Sequence, residues 1–396
     1  MKAPRGFILS GVRAGIRRKR PDVALVVAED GASAAAVFTK NRFQAAPVVL
    51  SKRAMAKSRG RVKAVVVNAG CANAITGRDG LEAARRVRAR TAELLRCREE
   101  EVFLASTGVI GVLLPDDKIR RALPEAIARL SPSGLDAASH AILTTDIAPK
   151  IARATFRHGG RRGSVVGFAK GAGMIHPNMA TMLGFVMTDA AASPAFLRSA
   201  LREAVGTSFN AISVDGDTST NDTVLLLASG KLGGHALDDA RAEDGAADFQ
   251  RALQEVCLSL AKMIVRDGEG ATRLLRLEVR GARTEKDARL AAYAAATSTL
   301  VKTALAGGDP NWGRILAAVG RSGARFSAGR ISLEVGGLSL VRAGCPVAYR
   351  ERDAARLFSR EEVPVVVDLG AGRASASLIT CDLGHDYVSL NADYRS

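Results

Sequence analysis

The chain of 396 residues carries 57 Lys and Arg against 40 Asp and Glu, a formal net charge of +17, so any function assigned to it has to account for a cationic surface. At 47 % hydrophobic and 24 % charged it has the composition of a globular protein with two or three core-forming units, which excludes a disordered or fibrous chain. Five widely spaced cysteines form no CxxC or Cys/His pattern, so neither a disulfide framework nor a metal centre is expected, and the setting reads as reducing and cytoplasmic.

The first 22 residues hold only a short apolar patch broken by Gly and Arg, neither a secretory signal nor a membrane span. Residues 62–68 (VKAVVVN) form a β-branched run that reads as a buried strand, and residues 81–96 show the apolar spacing of an amphipathic helix. Residues 102–105 make a short strand that ends in a Ser106-Thr107-Gly108 loop. The pattern Arg157-His158-Gly159-Gly160-Arg161-Arg162 reads as a hairpin tip. Residues 170–190 pass from a glycine turn into an apolar strand. Ser193-Pro194 then supplies an N-cap and a first-turn proline for a helix running toward Val205. Residues 223–228 read as a strand, 234–247 as a surface excursion and 247–265 as the longest amphipathic helix. After the polar turn 266–270 come a strand at 272–279, a helix at 285–305, and strands at 363–369 and 374–381 that read as an antiparallel hairpin across Gly370-Ala371-Gly372. The alternation is mixed, which favours an α/β sandwich over a doubly wound parallel fold.

The cationic residues are mostly scattered, and their longest run, Arg17-Arg18-Lys19-Arg20, has no interleaved aromatics. That argues for a solvated surface and against a nucleic-acid partner, although the positive potential would draw in anionic substrates. Residues 170–183 (KGAGMIHPNMATML) lack the Gly-x4-Gly-Lys-Ser/Thr order of a phosphate-binding loop. On local pattern alone, Thr181 is an ordinary β-former entering a buried strand.

That same segment resembles the hallmark of the ornithine acetyltransferases, also called glutamate N-acetyltransferases. The resemblance extends through residues 66–74, 105–111, 144–146, 213–222, 266–272, 308–314 and 391–396, in order and over essentially the whole chain. It implies a layered αββα-type sandwich with mixed sheets, of the self-processing, N-terminal-nucleophile-like kind. It also implies cleavage between Ala180 and Thr181 into an α chain (1–180) and a β chain (181–396) that pair and associate further, as a heterotetramer of two α and two β chains. Thr181 would then be both nucleophile and, through its freed α-amine, general base. Its acetyl ester would form from N2-acetylornithine and be passed to L-glutamate.

By the same resemblance, Thr107 and Gly108 form the oxyanion hole, and Thr144, Thr145, Lys170, Thr181, Glu269, Asn391 and Ser396 bind substrate. A strand would turn only one of Thr144 and Thr145 toward the site. No cofactor or metal is implied, nor a membrane or nucleic-acid partner; acetyl-CoA is an alternative donor in some members. The rival reading is a self-processing aminopeptidase or amidase, which shares the chemistry as far as the acyl-enzyme. Cys71 and His385 depart from the expected pattern without touching an assigned position. Nothing beside Cys71 in sequence would activate a thiol, and His176 and Asn311-Trp312 take no assigned role.

Overall fold

The computed structural model describes residues 1–176, 182–238 and 245–393. In chain order the elements are β1 (Phe7–Val12), β2 (Val23–Phe38), α1 (Ala46–Lys57), β3 (Arg61–Cys71), α2 (Gly77–Leu95), β4 (Val102–Val109), α3 (Asp116–Ala128), α4 (Leu135–Ala141), β5 (Lys150–His158), β6 (Arg161–Lys170), β7 (Leu183–Thr188), α5 (Pro194–Gly206), β8 (Ile212–Ser213), β9 (Thr223–Ala228) and α6 (Ala246–Arg266). There follow β10 (Leu274–Ala282), α7 (Glu285–Ala296), α8 (Thr299–Ala306), α9 (Trp312–Gly320), β11 (Ser332–Val335), β12 (Leu338–Arg342), β13 (Cys345–Pro346), α10 (Glu351–Phe358), β14 (Glu362–Asp368), β15 (Ala374–Cys381) and α11 (His385–Asp393). The described residues fall into two compact units: those within 1–210 with 217–264, and those within 211–216 with 265–393.

The first unit is built on one eight-stranded mixed sheet, ordered β4-β3-β2-β9-β7-β6-β5 with β1 beside the start of β2. The β3–β4 and β7–β9 pairs are parallel and the other pairs antiparallel. One face of β2, β3 and β4 packs Leu25, Val66 and Leu104 against Leu50 of α1, Val87 of α2 and Ile119 and Leu123 of α3. On the other face Val26, Val65 and Phe103 join Phe168, Phe185 and Leu225 in one continuous buried layer. Helix α6 covers β6 from outside, so closely that a methyl at Gly167 would lie 2.9 Å from Leu260. The expected α/β class with mixed sheets is what the chain adopts.

β6 and β7 lie on either side of the Ala180–Thr181 bond and pair with one another from Val165↔Thr188 to Lys170↔Leu183. β6 belongs to the expected α chain and β7 to the expected β chain, so both would supply strands to one sheet.

The second unit carries a seven-stranded sheet, ordered β13-β12-β11-β14-β10-β15-β8. Alternation decides which face is buried: Leu275, Leu277 and Val279 of β10 and Val363, Val365 and Val367 of β14 point into one core, where Ala288, Ala291, Ala292 and Ala295 of α7 meet them. Alanine at each of these helix positions lets α7 lie close to the sheet.

Three expectations are corrected. The strands β14 and β15 form no hairpin: β10 lies between them, parallel to β14 and antiparallel to β15. The Gly370–Gly372 loop wraps the end of β10 instead, with the Ala371 and Gly372 N–H groups donating to the Gly281 carbonyl at 2.7 and 2.8 Å. The helix expected over 285–305 breaks into α7 and α8 at Thr297-Ser298. There the Thr297 hydroxyl donates to the Tyr293 carbonyl at 2.7 Å, and extended Ser298 caps α8 through the Val301 N–H. The Ser106-Thr107-Gly108 loop is part of strand β4.

Other elements match. Gly159 and Gly160 close the β5–β6 hairpin with φ of +53° and +70°, as a tight two-residue turn requires. Ser193 caps α5 by accepting from the Phe196 N–H at 3.1 Å. The surface excursion is exposed at Gly234, His235 and Ala236, and residues 239–244 lie outside the described residues.

Candidate active site

Residues 66–69 run down β3 into the bulge at Gly70 and Cys71, where Cys71 faces both Thr107 and Val109 of β4. A bulge of this kind re-aims side chains at the end of a strand pair. Two contacts make Gly108 a glycine-only position: its φ is +129°, and a Cβ there would stand 2.3 Å from the Gly70 carbonyl carbon. The close approach of two backbones, not a turn, is what Gly108 serves.

Asparagines hold this strand end in place. The Ser106 hydroxyl donates to Asn68 Oδ1 at 2.6 Å, and Asn221 Nδ2 donates to the Ala72 and Ser106 carbonyls at 2.7 and 2.8 Å. All of these groups are buried, so each bond satisfies a polar atom that water cannot reach.

Lys170, the last residue of β6, reaches across to Thr107, its Nζ donating to Oγ1 at 3.3 Å, and both side chains are buried. Beside them lies Asp146, only 1 % exposed. Its Oδ1 accepts from Lys150 Nζ at 2.7 Å and from the Gly171 N–H at 2.6 Å; its Oδ2 accepts from the Thr144 N–H at 3.0 Å and stands 4.0 Å from Lys170 Nζ. Burial works against the Asp146 charge, but the charges of Lys170 and Lys150 and the bonds to Lys150 and Thr144 outweigh it and hold the carboxyl well below its ordinary range. A buried anion between two buried lysines thus fixes the position of Lys170.

Thr144 and Thr145 are in irregular backbone, so strand alternation does not separate them, and both line one open cavity. They differ in engagement: the Thr144 hydroxyl lies 3.4 Å from Asp146 Oδ2, whereas no hydrogen bond holds that of Thr145 among the described residues.

Asp222, at the foot of β9, is fully buried and accepts the Met182 N–H through Oδ1 at 3.0 Å. Met182 is bonded directly to Thr181, so Asp222 holds the chain one residue beyond the expected nucleophile. Burial pushes its pKa well up, against the Met182 N–H, the Lys170 charge and the nearby Ser219 and Thr39 hydroxyls. Those hydroxyls stand close without hydrogen-bonding Oδ2: Thr39 gives its proton to the Ser219 carbonyl at 2.6 Å. A carboxyl whose folded pKa is raised contributes stability below its unfolded pKa of about 4, and this is lost as pH rises through the folded value. Asp222→Asn is therefore expected to gain stability relative to the wild type as pH goes from 4 to 8, measured by denaturation midpoints at each pH. A difference independent of pH would show that the buried carboxyl is not held neutral.

In the second unit, Glu269 lies in the turn between α6 and β10, and Asn391 lies on α11. Asn391 Nδ2 donates to Glu269 Oε2 at 2.8 Å. The turn and the helix are packed together: a methyl at Gly270 would lie 2.5 Å from the Tyr387 nitrogen. Asp382 braces the same turn by accepting from the Thr272 and Arg273 N–H groups at 2.8 and 3.0 Å.

The structure thus brings together Thr107, Gly108, Lys170 and, through Asp146, Thr144 in one unit, and Glu269 with Asn391 in the other. Ala180, Thr181 and Ser396 lie outside the described residues. Asp146, Lys150, Asn221 and Asp222 carry no assignment from sequence. Three of them fall inside resembling blocks, but their importance comes from burial, which no local pattern reports. Cys71 is buried, and burial raises its thiol pKa, in line with an unreactive side chain. Among the described residues no group of His, Cys, Asp and Glu could hold a metal ion, and no helix is long and apolar enough to cross a membrane.

The profile of the ArgJ family matches residues 8–396. The arginine biosynthesis bifunctional protein ArgJ of Symbiobacterium thermophilum is 49 % identical over 397 residues, covering 100 % of this chain and 98 % of its own. That of Geobacter sulfurreducens is 47 % identical, with 99 % of both chains covered. The crystal structure of the arginine biosynthesis bifunctional protein ArgJ from Bacillus halodurans is 40 % identical and superposes with a TM-score of 0.51, covering 53 % of this chain and 98 % of that one.

Proposed function

The chain belongs to the ArgJ family, and from that premise we propose that it is a self-processing acyltransferase of arginine biosynthesis that moves the acetyl group of N2-acetylornithine to L-glutamate. The observation that carries the reading is the buried contact of 3.3 Å between Lys170 and Thr107, which places the Thr107–Gly108 pair beside the strand leading into residues 171–181.

The chemistry begins with the chain itself. The Thr181 hydroxyl attacks the Ala180 carbonyl, the amide becomes an ester, and water hydrolyses it to leave Thr181 with a free α-amine. With an ordinary pKa of about 7.7–8.0, that amine is partly neutral near pH 7 and takes the proton of its own hydroxyl. The hydroxyl then accepts the acetyl group and releases ornithine, and the glutamate amine attacks the resulting ester. In both half-reactions the Thr107 hydroxyl and the Gly108 N–H face the negative oxygen, with Lys170 adding charge. Thr144, Thr145, Glu269, Asn391 and Ser396 are assigned to substrate binding, and acetyl-CoA is assigned as a second acetyl donor. The protein works in the cytoplasm as two α and two β chains.

The paired β6 and β7 support a cut that leaves its products together, since each fragment supplies strands to the same sheet. A solved relative whose chain matches along 98 % of its own length but only 53 % of this one has the proportion of one such product.

Intact mass of purified wild type beside Thr181→Ala tests the reading. Two masses divided at Ala180/Thr181, in wild type only and co-eluting on native gel filtration, are expected. A single uncut mass in folded wild type would remove the α-amine from the mechanism and overturn it.

A further inference from the structure

The run Arg17-Arg18-Lys19-Arg20 is built into the fold. Its loop is folded around Asp22, a buried carboxylate that accepts the N–H groups of Ala14, Gly15 and Arg17 at 2.6, 3.1 and 2.8 Å. Arg17 then fastens the loop to the Thr144 segment, donating to the Leu143 carbonyl and, at 3.3 Å, to the Thr144 carbonyl. Between loop and segment lies an open cavity of about 570 Å³, lined by Arg17, Arg18, Lys19 and Arg20 on one side and by residues 144–147 on the other.

The charge of this cavity is not balanced. Several other arginines of the unit are matched: Arg86 and Arg120 with Asp116, Arg121 with Asp117, Arg129 with Glu125. No ion pair joins Arg17, Arg18, Lys19 or Arg20 to a carboxylate among the described residues, and the one acid lining the cavity, Asp146, is already committed to Lys150 and Lys170. The Asp22 carboxylate inside the loop offsets part of this charge, and the remaining excess favours an anion in the cavity. The cavity also adjoins the chemistry: Asp146, in its wall, touches Lys170, which touches Thr107.

We propose that this cavity binds the phosphate groups of acetyl-CoA, so that the thioester enters the active site past Thr144 and Thr145. The inference rests on the reading that acetyl-CoA is a second donor. Guanidinium groups suit phosphate because they offer paired N–H donors in a fixed plane. The phosphate-free donor N2-acetylornithine has no use for Arg18, Lys19 or Arg20, which gives the site its test.

The processed enzyme and an Arg18→Ala/Lys19→Ala/Arg20→Ala variant are compared in N-acetylglutamate formation, once with acetyl-CoA and once with N2-acetylornithine. The KM for acetyl-CoA should rise about 10- to 100-fold, and desulfo-CoA should bind correspondingly more weakly, as loss of several charge-assisted contacts requires. Kinetics with N2-acetylornithine should stay within about twofold, because that donor presents no phosphate to Arg18, Lys19 and Arg20. Wild-type KM for acetyl-CoA should also climb with salt more steeply than that for N2-acetylornithine, which carries fewer charges. Unchanged acetyl-CoA kinetics in the variant would overturn the site while leaving the second donor in place. An equal fall with both donors would make the loop merely structural and overturn it as well. A wild type that neither uses acetyl-CoA nor binds desulfo-CoA would remove the donor reading itself, and the proposal with it.

Discussion

Replacing Asp146 by Asn will lower stability by about 3–5 kcal/mol at pH 7, the cost of removing one partner from a buried ion pair. Asp146 and its neighbours Lys150 and Lys170 are all buried, so the variant takes from two buried lysine charges the carboxylate that lies beside both. The amide also turns an NH2 group toward donors that now meet a carboxylate, namely Lys150 Nζ and the N–H groups of Thr144 and Gly171. The sign of the pH dependence follows from the depressed pKa of Asp146. Its stabilisation is present above the unfolded carboxylate pKa of about 4 and is lost as pH falls through the lower folded value. The gap between wild type and Asp146→Asn should be flat from pH 8 to 5 and should narrow below about pH 4. Denaturation midpoints across that range measure it. Equal stability at pH 7, or a gap that widens in acid, would mean that the lysines do not depend on this carboxylate.

Gly108→Ala should lower kcat for acetyl transfer by about 10²–10³, the usual effect of losing one oxyanion donor. The added methyl meets backbone on β3, 2.3 Å from the Gly70 carbonyl carbon and 2.6 Å from the Cys71 nitrogen, and backbone cannot rotate away as a side chain would. β4 must therefore shift just where Thr107 and Gly108 face the reacting oxygen in the proposed mechanism. Thr107→Val, which removes the hydroxyl and keeps the strand, separates that donor from the shift. Rates with N2-acetylornithine and glutamate, together with the rate of self-cleavage, provide the measurement. An alanine variant with wild-type kcat would show that the Gly108 N–H has no part in the chemistry.

What a single segment encodes is legible in its residues alone. Residues 62–68, 223–228 and 247–265 are strand, strand and helix because their apolar periods suit those geometries. Ser193-Pro194 and Gly159-Gly160 announce a helix start and a hairpin turn through atoms that act within a few residues. The family is legible as well, because the blocks around Thr107, Thr144, Lys170 and Glu269 keep their order along the chain.

What depends on partners distant in sequence is decided only in the folded chain. Residues 363–381 read as a hairpin because two strands flank a Gly-rich loop, and nothing local says that β10 will claim the place between them. Ser106-Thr107-Gly108 reads as a turn, yet Gly108 exists for the approach of β3, more than thirty residues earlier in the chain. Arg17–Arg20 reads as solvated surface until Asp22 and the Thr144 segment give it a cavity wall. Asp146 and Asp222 are ordinary carboxylates in sequence, one driven to keep its charge by the lysines beside it and the other to lose it by burial, and tertiary packing supplies both. Sequence determined the periodic elements, the caps and the family, because these rest on covalent spacing. Tertiary structure decided strand order, burial and charge state, because each is a property of what surrounds a residue once distant segments have met.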